Sequence, residues 1–232
     1  TVTVENCTNV NGDMNDVVNV SGTSVVVLDG VEIKNAAKIG EKYYRTLAEA
    51  YEAVQVGETL TLLADINLSE ILVINKAITL DGNGKTLTST AGRAINVSGA
   101  DGVTIKNLTI DAKGERAINV IQNATNVTIE KVTATAKNYT VNVAASAPNA
   151  VVAIKNSTLN GLCTVNVSAA GANVTVDNST VNCNDNNTTV GESYAALSLN
   201  KEAIGGSIVA TNSTINVTDG SDSMKGRNGA EG

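Results

Sequence analysis

Apolar and polar residues alternate along most of this chain, and the alternation itself repeats. Ala94–Arg116 reads AINVSGADGVTIKNLTIDAKGER and Ala117–Tyr139 reads AINVIQNATNVTIEKVTATAKNY, two copies of one 23-residue unit. The unit returns as TVNVAASAPNAVVAIKNSTLNG from Thr140, as TVNVSAAGANVTVDNSTVN from Thr164 and as AALSLNKEAIGGSIVATNSTINV from Ala195. Successive strand side chains point to opposite faces. In the first copy Ile95 and Val97 therefore point inward and Asn96 outward. Val103 and Ile105 point inward with Thr104 outward, and after a short turn at Lys106–Asn107 so do Leu108 and Ile110 with Thr109 outward. One period predicts three short strands around an apolar interior. A single coil cannot bury that interior, so the fixed period predicts stacked coils of roughly 22–25 residues, an all-β parallel solenoid.

The pattern divides the chain into 1–38, 39–57, 58–218 and 219–232. In Thr1–Lys38, Val2-Thr3-Val4 before Asn6 matches Val103-Thr104-Ile105 before Asn107, so this stretch is read as coils, either the end of a preceding module or part of one continuous solenoid. Residues 39–57 break the pattern. Lys38–Tyr44 reads as a tight hairpin. Thr46-Leu47-Ala48-Glu49 fits a capping box, and Leu47, Ala50 and Val54 fall at helical spacing before Gly57. A short capping α-helix is predicted near residues 46–56, covering the open end of the stack. Residues 58–218 form the main solenoid, and the polar, glycine-rich 219–232 is predicted to be a flexible tail. The chain opens inside a strand pattern, which predicts a mature or excised fragment.

Aligned coils produce files of equivalent residues. The outward first-strand file is Asn19, Asn96, Asn119, Asn142 and Asn166, followed by Ser198, and is predicted to be exposed. The turn between the second and third strands carries Asn6, Asn107, Asn156, Asn178 and Asn212, with Lys131 as the exception. Asparagine tolerates a left-handed backbone and its amide can bond along the stack, so this file is predicted to be a structural ladder. The third strand presents Thr8, Thr109, Thr133, Thr158, Thr180 and Thr214 as an exposed threonine face.

This pattern resembles the right-handed parallel β-helix of the pectin lyase-like superfamily, and the turn asparagines resemble that superfamily's asparagine ladder. YYRTLAEAYEAVQVGETLTLLADINL and the following ILVINKAITLDGNGKTLT are similar to the start of β-helix modules in large, secreted, adhesin-like bacterial surface proteins. The resemblance runs from Thr1 to about Val217. It implies an extracellular or cell-surface location, neighbouring β-helix modules of the same protein, and partners among glycans or host and cell-surface proteins. It also implies that any chemistry would sit on the outward side of the first strand, where enzymes of this superfamily place an acidic calcium site with Arg or Lys, or clustered Asp.

Composition bears on that implication. Histidine, phenylalanine and tryptophan are absent, and the net charge is −7. An acidic chain is a poor match for nucleic acid phosphates. No apolar run approaches the ~20 residues of a membrane span. The amides of Asn19, Asn96, Asn119, Asn142 and Asn166 cannot serve as general acid or base, and no catalytic residue, metal site or cofactor is assigned. The weaker candidates are Asn184, Asp185 and Glu192 beside Asn182 in a long corner, as oxygen ligands for calcium, and Asp101, Asp111, Glu115 and Arg116 around the corners of one coil. Cys163 and Cys183 fall near the same corner of adjacent coils, and small buried thiols are favoured there over a disulfide. The expected function is a non-catalytic structural or adhesive module of a secreted bacterial surface protein. Polysaccharide binding or degradation is the alternative, and ice binding by the threonine face is a third.

Overall fold

The computed structural model describes residues 1–7, 20–184 and 194–217. These residues form a parallel β-solenoid of about seven turns with one short helix. Each full turn contributes a strand to each of three faces. The first face is a six-stranded sheet made by Leu72–Ile74, Arg93–Ser98, Arg116–Ile121, Tyr139–Val143, Val165–Val167 and Leu197–Leu199. The second and third faces belong to one 14-stranded sheet. Thr104–Ala112 and Val127–Thr135 each run through both of these faces. They bend where Asn107 and Lys131 take φ of +51° and +52°.

The register is the one that the alternation requires. Asn96 lies beside Asn119, Asn119 beside Asn142, Asn142 beside Asn166, and Asn166 beside Ser198. Ile95, Val97, Ile105, Ile118, Ile129 and Ile154 are fully buried in the continuous core. Each such side chain contributes roughly 1.5–3 kcal/mol against the entropy of ordering the chain.

At the N-terminal end of this core, Ala37–Ile39 and Lys42–Tyr44 form the expected hairpin, and Ala37–Ile39 runs antiparallel to Thr59–Leu62. Helix α1 (Leu47–Ala53) follows, and its capping box is complete: Thr46 Oγ1 accepts from the Glu49 N–H at 3.1 Å, and Glu49 Oε2 accepts from the Thr46 N–H at 3.3 Å. The helix ends before residue 56. Val54 already takes extended φ and ψ, which turns its side chain into the core, where it is fully buried beside Leu47 and Ala50.

Residues before Ala37 form their own three-stranded sheet. Val2–Val4 pairs in parallel with Val26–Leu28, as two coils would. Val31–Lys34 then turns back antiparallel. The cause is Asp29-Gly30, which takes φ of +46° and +82° and makes a two-residue hairpin turn. This sheet has a separate apolar cluster of Val20, Val26, Leu28 and Ile33.

Candidate functional site

The outward side of the first face differs from its sequence-based expectation. The asparagine file was predicted to be exposed. Asn119, Asn142 and Asn166 are instead only 2%, 4% and 3% exposed, and Asn96 reaches 9%. Asn119 and Asn142 each lie between the amides of the coils above and below, and Asn96 and Asn166 end the row beside Val73 and Ser198. Asn119 Nδ2 donates to Asn96 Oδ1 at 3.0 Å, Asn142 Nδ2 to Asn119 Oδ1 at 2.6 Å, and Asn166 Nδ2 to Asn142 Oδ1 at 2.7 Å. Spacing of one strand leaves no room for water between them. Asn19 lies outside the described residues.

Three residues before each of these asparagines runs a second file. Arg93, Arg116 and Tyr139 are in register on successive coils. The Arg116 guanidinium lies over the Tyr139 ring, 5.3 Å from its centroid. Its Nη1 donates to Asn119 Oδ1 at 3.5 Å. The Nε atoms of both arginines are buried without a hydrogen-bond partner. Burial, and then the charge of Arg93, push the Arg116 guanidinium below its ordinary pKa. Two cations on adjacent coils are an electrostatic cost, and an anion beside them would relieve it.

Arg116 and Tyr139 line a groove of about 330 Å³ along the first face, together with Asn142, Asn166, Asn200 and Glu202 among others. The groove therefore offers a cationic end, an aromatic ring and a floor of amides. Glu202 is the one carboxylate among the described lining residues, and acid–base cleavage of a glycosidic bond ordinarily uses two. Arg93 and Glu202 were not singled out from the sequence, and Tyr139, at a coil corner, was expected to be structural rather than to stack on a ligand. The signal for Arg93 and Tyr139 was the residue preceding each Ala-Ile-Asn-Val or Thr-Val-Asn-Val start.

The other files divide differently. The turn residues Asn6, Asn107, Asn156, Asn178 and Asn212 all take positive φ, between 46° and 53°. Asn178 Nδ2 donates to Asn156 Oδ1 at 2.7 Å, whereas Asn107 and Asn212 donate to Asp81 and Asp177 at 3.0 Å. Lys131 interrupts the amide ladder. On the third face Thr109, Thr133, Thr158, Thr180 and Thr214 are in register, with Thr109, Thr133 and Thr214 exposed and the other two half-buried. The file beside them is mixed, running Asp111, Thr135, Asn160, Asn182 and Asn216, and Asn182 bridges Asn160 and Asn216 at 2.8 Å each. The second face carries charges of alternating sign on successive coils, Asp81, Lys106, Glu130, Lys155 and Asp177.

The weaker candidates are not brought together. Asp101 accepts from Asn126 Nδ2 at 2.6 Å at one corner, and Asp111 pairs with Lys113 at 2.6 Å at another. Asn184 is exposed, and Asp185 and Glu192 lie outside the described residues. Among the described residues no group of three His, Cys, Asp or Glu side chains could hold a metal ion. Cys183 is buried and its thiol donates to the Leu162 carbonyl at 2.8 Å. No family model matches the chain, and neither a curated protein nor a solved structure does.

Proposed function

We propose that the chain is a non-catalytic adhesive module of a secreted bacterial surface protein, and that its first face holds an acidic glycan. The observation that carries this reading is the pair Arg93 and Arg116, in register on adjacent coils, with the Arg116 guanidinium over the Tyr139 ring. A carboxylate or sulfate accepts from the guanidinium groups, and the ring packs against a sugar face. The sequence resemblance to pectin lyase-like modules of adhesin-like proteins supports the surface location and the class of partner. The commitment of the central asparagines to one another supports binding rather than cleavage.

The test is calorimetry with oligogalacturonate and with a neutral oligosaccharide of equal length. Acidic ligand should bind more tightly, and Arg93→Ala with Arg116→Ala should weaken it tenfold or more. Equal affinity for the neutral sugar, or release of unsaturated or new reducing ends from the polymer, would refute this reading.

A further inference from the structure

The groove along the first face carries opposite charges on different coils. Arg116 lines it, and Arg93 is in register with Arg116 on the preceding coil. Glu202 lines it as well. Glu202 follows Ser198 in the chain, and Asn119, Asn142, Asn166 and Ser198 are in register on successive coils. Three coil spacings therefore separate the Arg116 coil from the Glu202 coil, about 14 Å along the axis. Between them lie Asn142 and Asn166, whose amide N–H groups are committed within the row and to Ser168. Discrimination between ligands falls to the two ends.

The amide row adds to this polarity. Each asparagine donates to the preceding coil, so the row presents its N–H end at Asn96 and its carbonyl end at Asn166, beside Ser198. Amide dipoles aligned in this way favour an anion near the first end and a cation near the second, as they do in a helix. The row and the side-chain charges thus point the same way, with the arginines at one end and Glu202 at the other. Glu202 is paired with Lys201 at 3.9 Å, and the Lys201 side chain is 91% exposed. A pair so open to solvent is weak, and a ligand cation can take its place.

We infer, resting on the acidic-glycan reading, that the ligand is a dipolar glycan. Its carboxylate or sulfate lies at Arg116, and a free amino group, protonated near neutral pH, lies at Glu202. A uniform polyanion would set an anion against Glu202 and the carbonyl end of the row. A chain that alternates a uronic acid with an unacetylated amino sugar avoids that repulsion, and the polarity of the groove fixes its direction along the axis.

Calorimetry with two hexasaccharides of alternating glucuronate and glucosamine tests this. In one every amine is acetylated, in the other every amine is free, and nothing else differs. The free-amine form should bind about fivefold more tightly, the size of a surface ion pair. The net charge of −7 favours any added cation, so the preference must also depend on Glu202. Glu202→Gln should abolish it, and Lys201→Ala, which removes the competing ammonium, should increase it. Arg116→Ala should weaken both ligands roughly tenfold, as loss of a charged hydrogen bond does. If the acetylated form binds as tightly as the free amine or more so, the dipolar inference fails and the acidic-glycan reading stands. A preference that survives Glu202→Gln overturns the inference too, because net charge alone then accounts for it. If neither hexasaccharide binds, the acidic-glycan reading falls and the inference falls with it.

Discussion

Asn142 Nδ2 donates to Asn119 Oδ1 at 2.6 Å, and both side chains are buried. The bond belongs to a directional chain in which each amide donates to the preceding coil, from Asn166 down to Asn96. Removing an inner member strands a donor above and an acceptor below. A buried polar group left unpaired costs about 1–3 kcal/mol. Asn119→Ala should therefore lower stability by about 2–4 kcal/mol, and Asn96→Ala, at the end of the chain, by about half as much. Denaturant unfolding of the two variants checks the ratio; equal losses would show that the amides do not act as a chain.

The difference between expected and observed burial has a physical origin. Alternation told which way each side chain points. It could not tell whether an outward side chain meets water, because that depends on what stacks beside it. Identical asparagines at one strand spacing cover one another, and Arg116 and Tyr139 lie alongside them. The coil register, the hairpin and the capping box were legible because each rests on local pattern. The Arg93–Arg116–Tyr139 file was not read, since its members differ in type. The Asp29-Gly30 hairpin was missed although its dipeptide is a known turn signal, because the parallel repeat was carried through it.

The charges on the second face should act as a register lock. Lys106 and Asp81 approach to 3.4 Å, and Glu130 lies in register between Lys106 and Lys155. Glu130→Lys places three lysines on successive coils. Like charges directly opposite each other on neighbouring strands are destabilising by about 0.2–1 kcal/mol per pair, and salt screens them. The variant should lose stability at low ionic strength and recover much of it in molar salt. A loss independent of salt would point to packing instead.

Acid should weaken the same edge. Burial pushes the Asp81 carboxyl up, but the Asn107 amide, the Asn83 N–H and the Lys106 ammonium outweigh it and hold it below its ordinary value. The Thr211 hydroxyl and the Asn212 amide do the same for Asp177. A carboxylate with a lower pKa when folded favours the native state above its unfolded pKa of about 3.9. That contribution disappears as pH falls through the folded value. The unfolding midpoint should be flat near neutrality and drop below about pH 4, and Asp81→Asn should make the drop shallower. An unchanged slope would count against the role given to Asp81.

Two glycines in one turn should respond differently to alanine. A Cβ on Gly82 would lie 2.6 Å from the Asn107 carbonyl oxygen and 2.6 Å from Leu108 Cβ on the next coil. A Cβ on Gly84 meets nothing within 4 Å, but its φ is +73°. Gly82→Ala must push two coils apart and should cost about 1–3 kcal/mol, as overpacking does. Gly84→Ala meets only backbone strain and should cost about 1 kcal/mol. Thermal unfolding of both variants gives the order.

Lys131 offers the opposite experiment, a substitution that should stabilise. It is exposed, has φ of +52°, and stands in the turn file between Asn107 and Asn156, where the other described members are asparagines. A left-handed backbone is less costly for asparagine than for lysine. An amide there also faces Asn107 on one side and Asn156 on the other, the arrangement in which Asn178 already donates to Asn156 at 2.7 Å. Lys131→Asn should raise stability by about 0.5–1.5 kcal/mol through both effects. Lys131→Gly separates them, because it relieves the backbone and supplies no amide. If the glycine variant matches the asparagine variant in guanidinium unfolding, backbone relief accounts for the gain. If asparagine is clearly better, the amides bond along the stack.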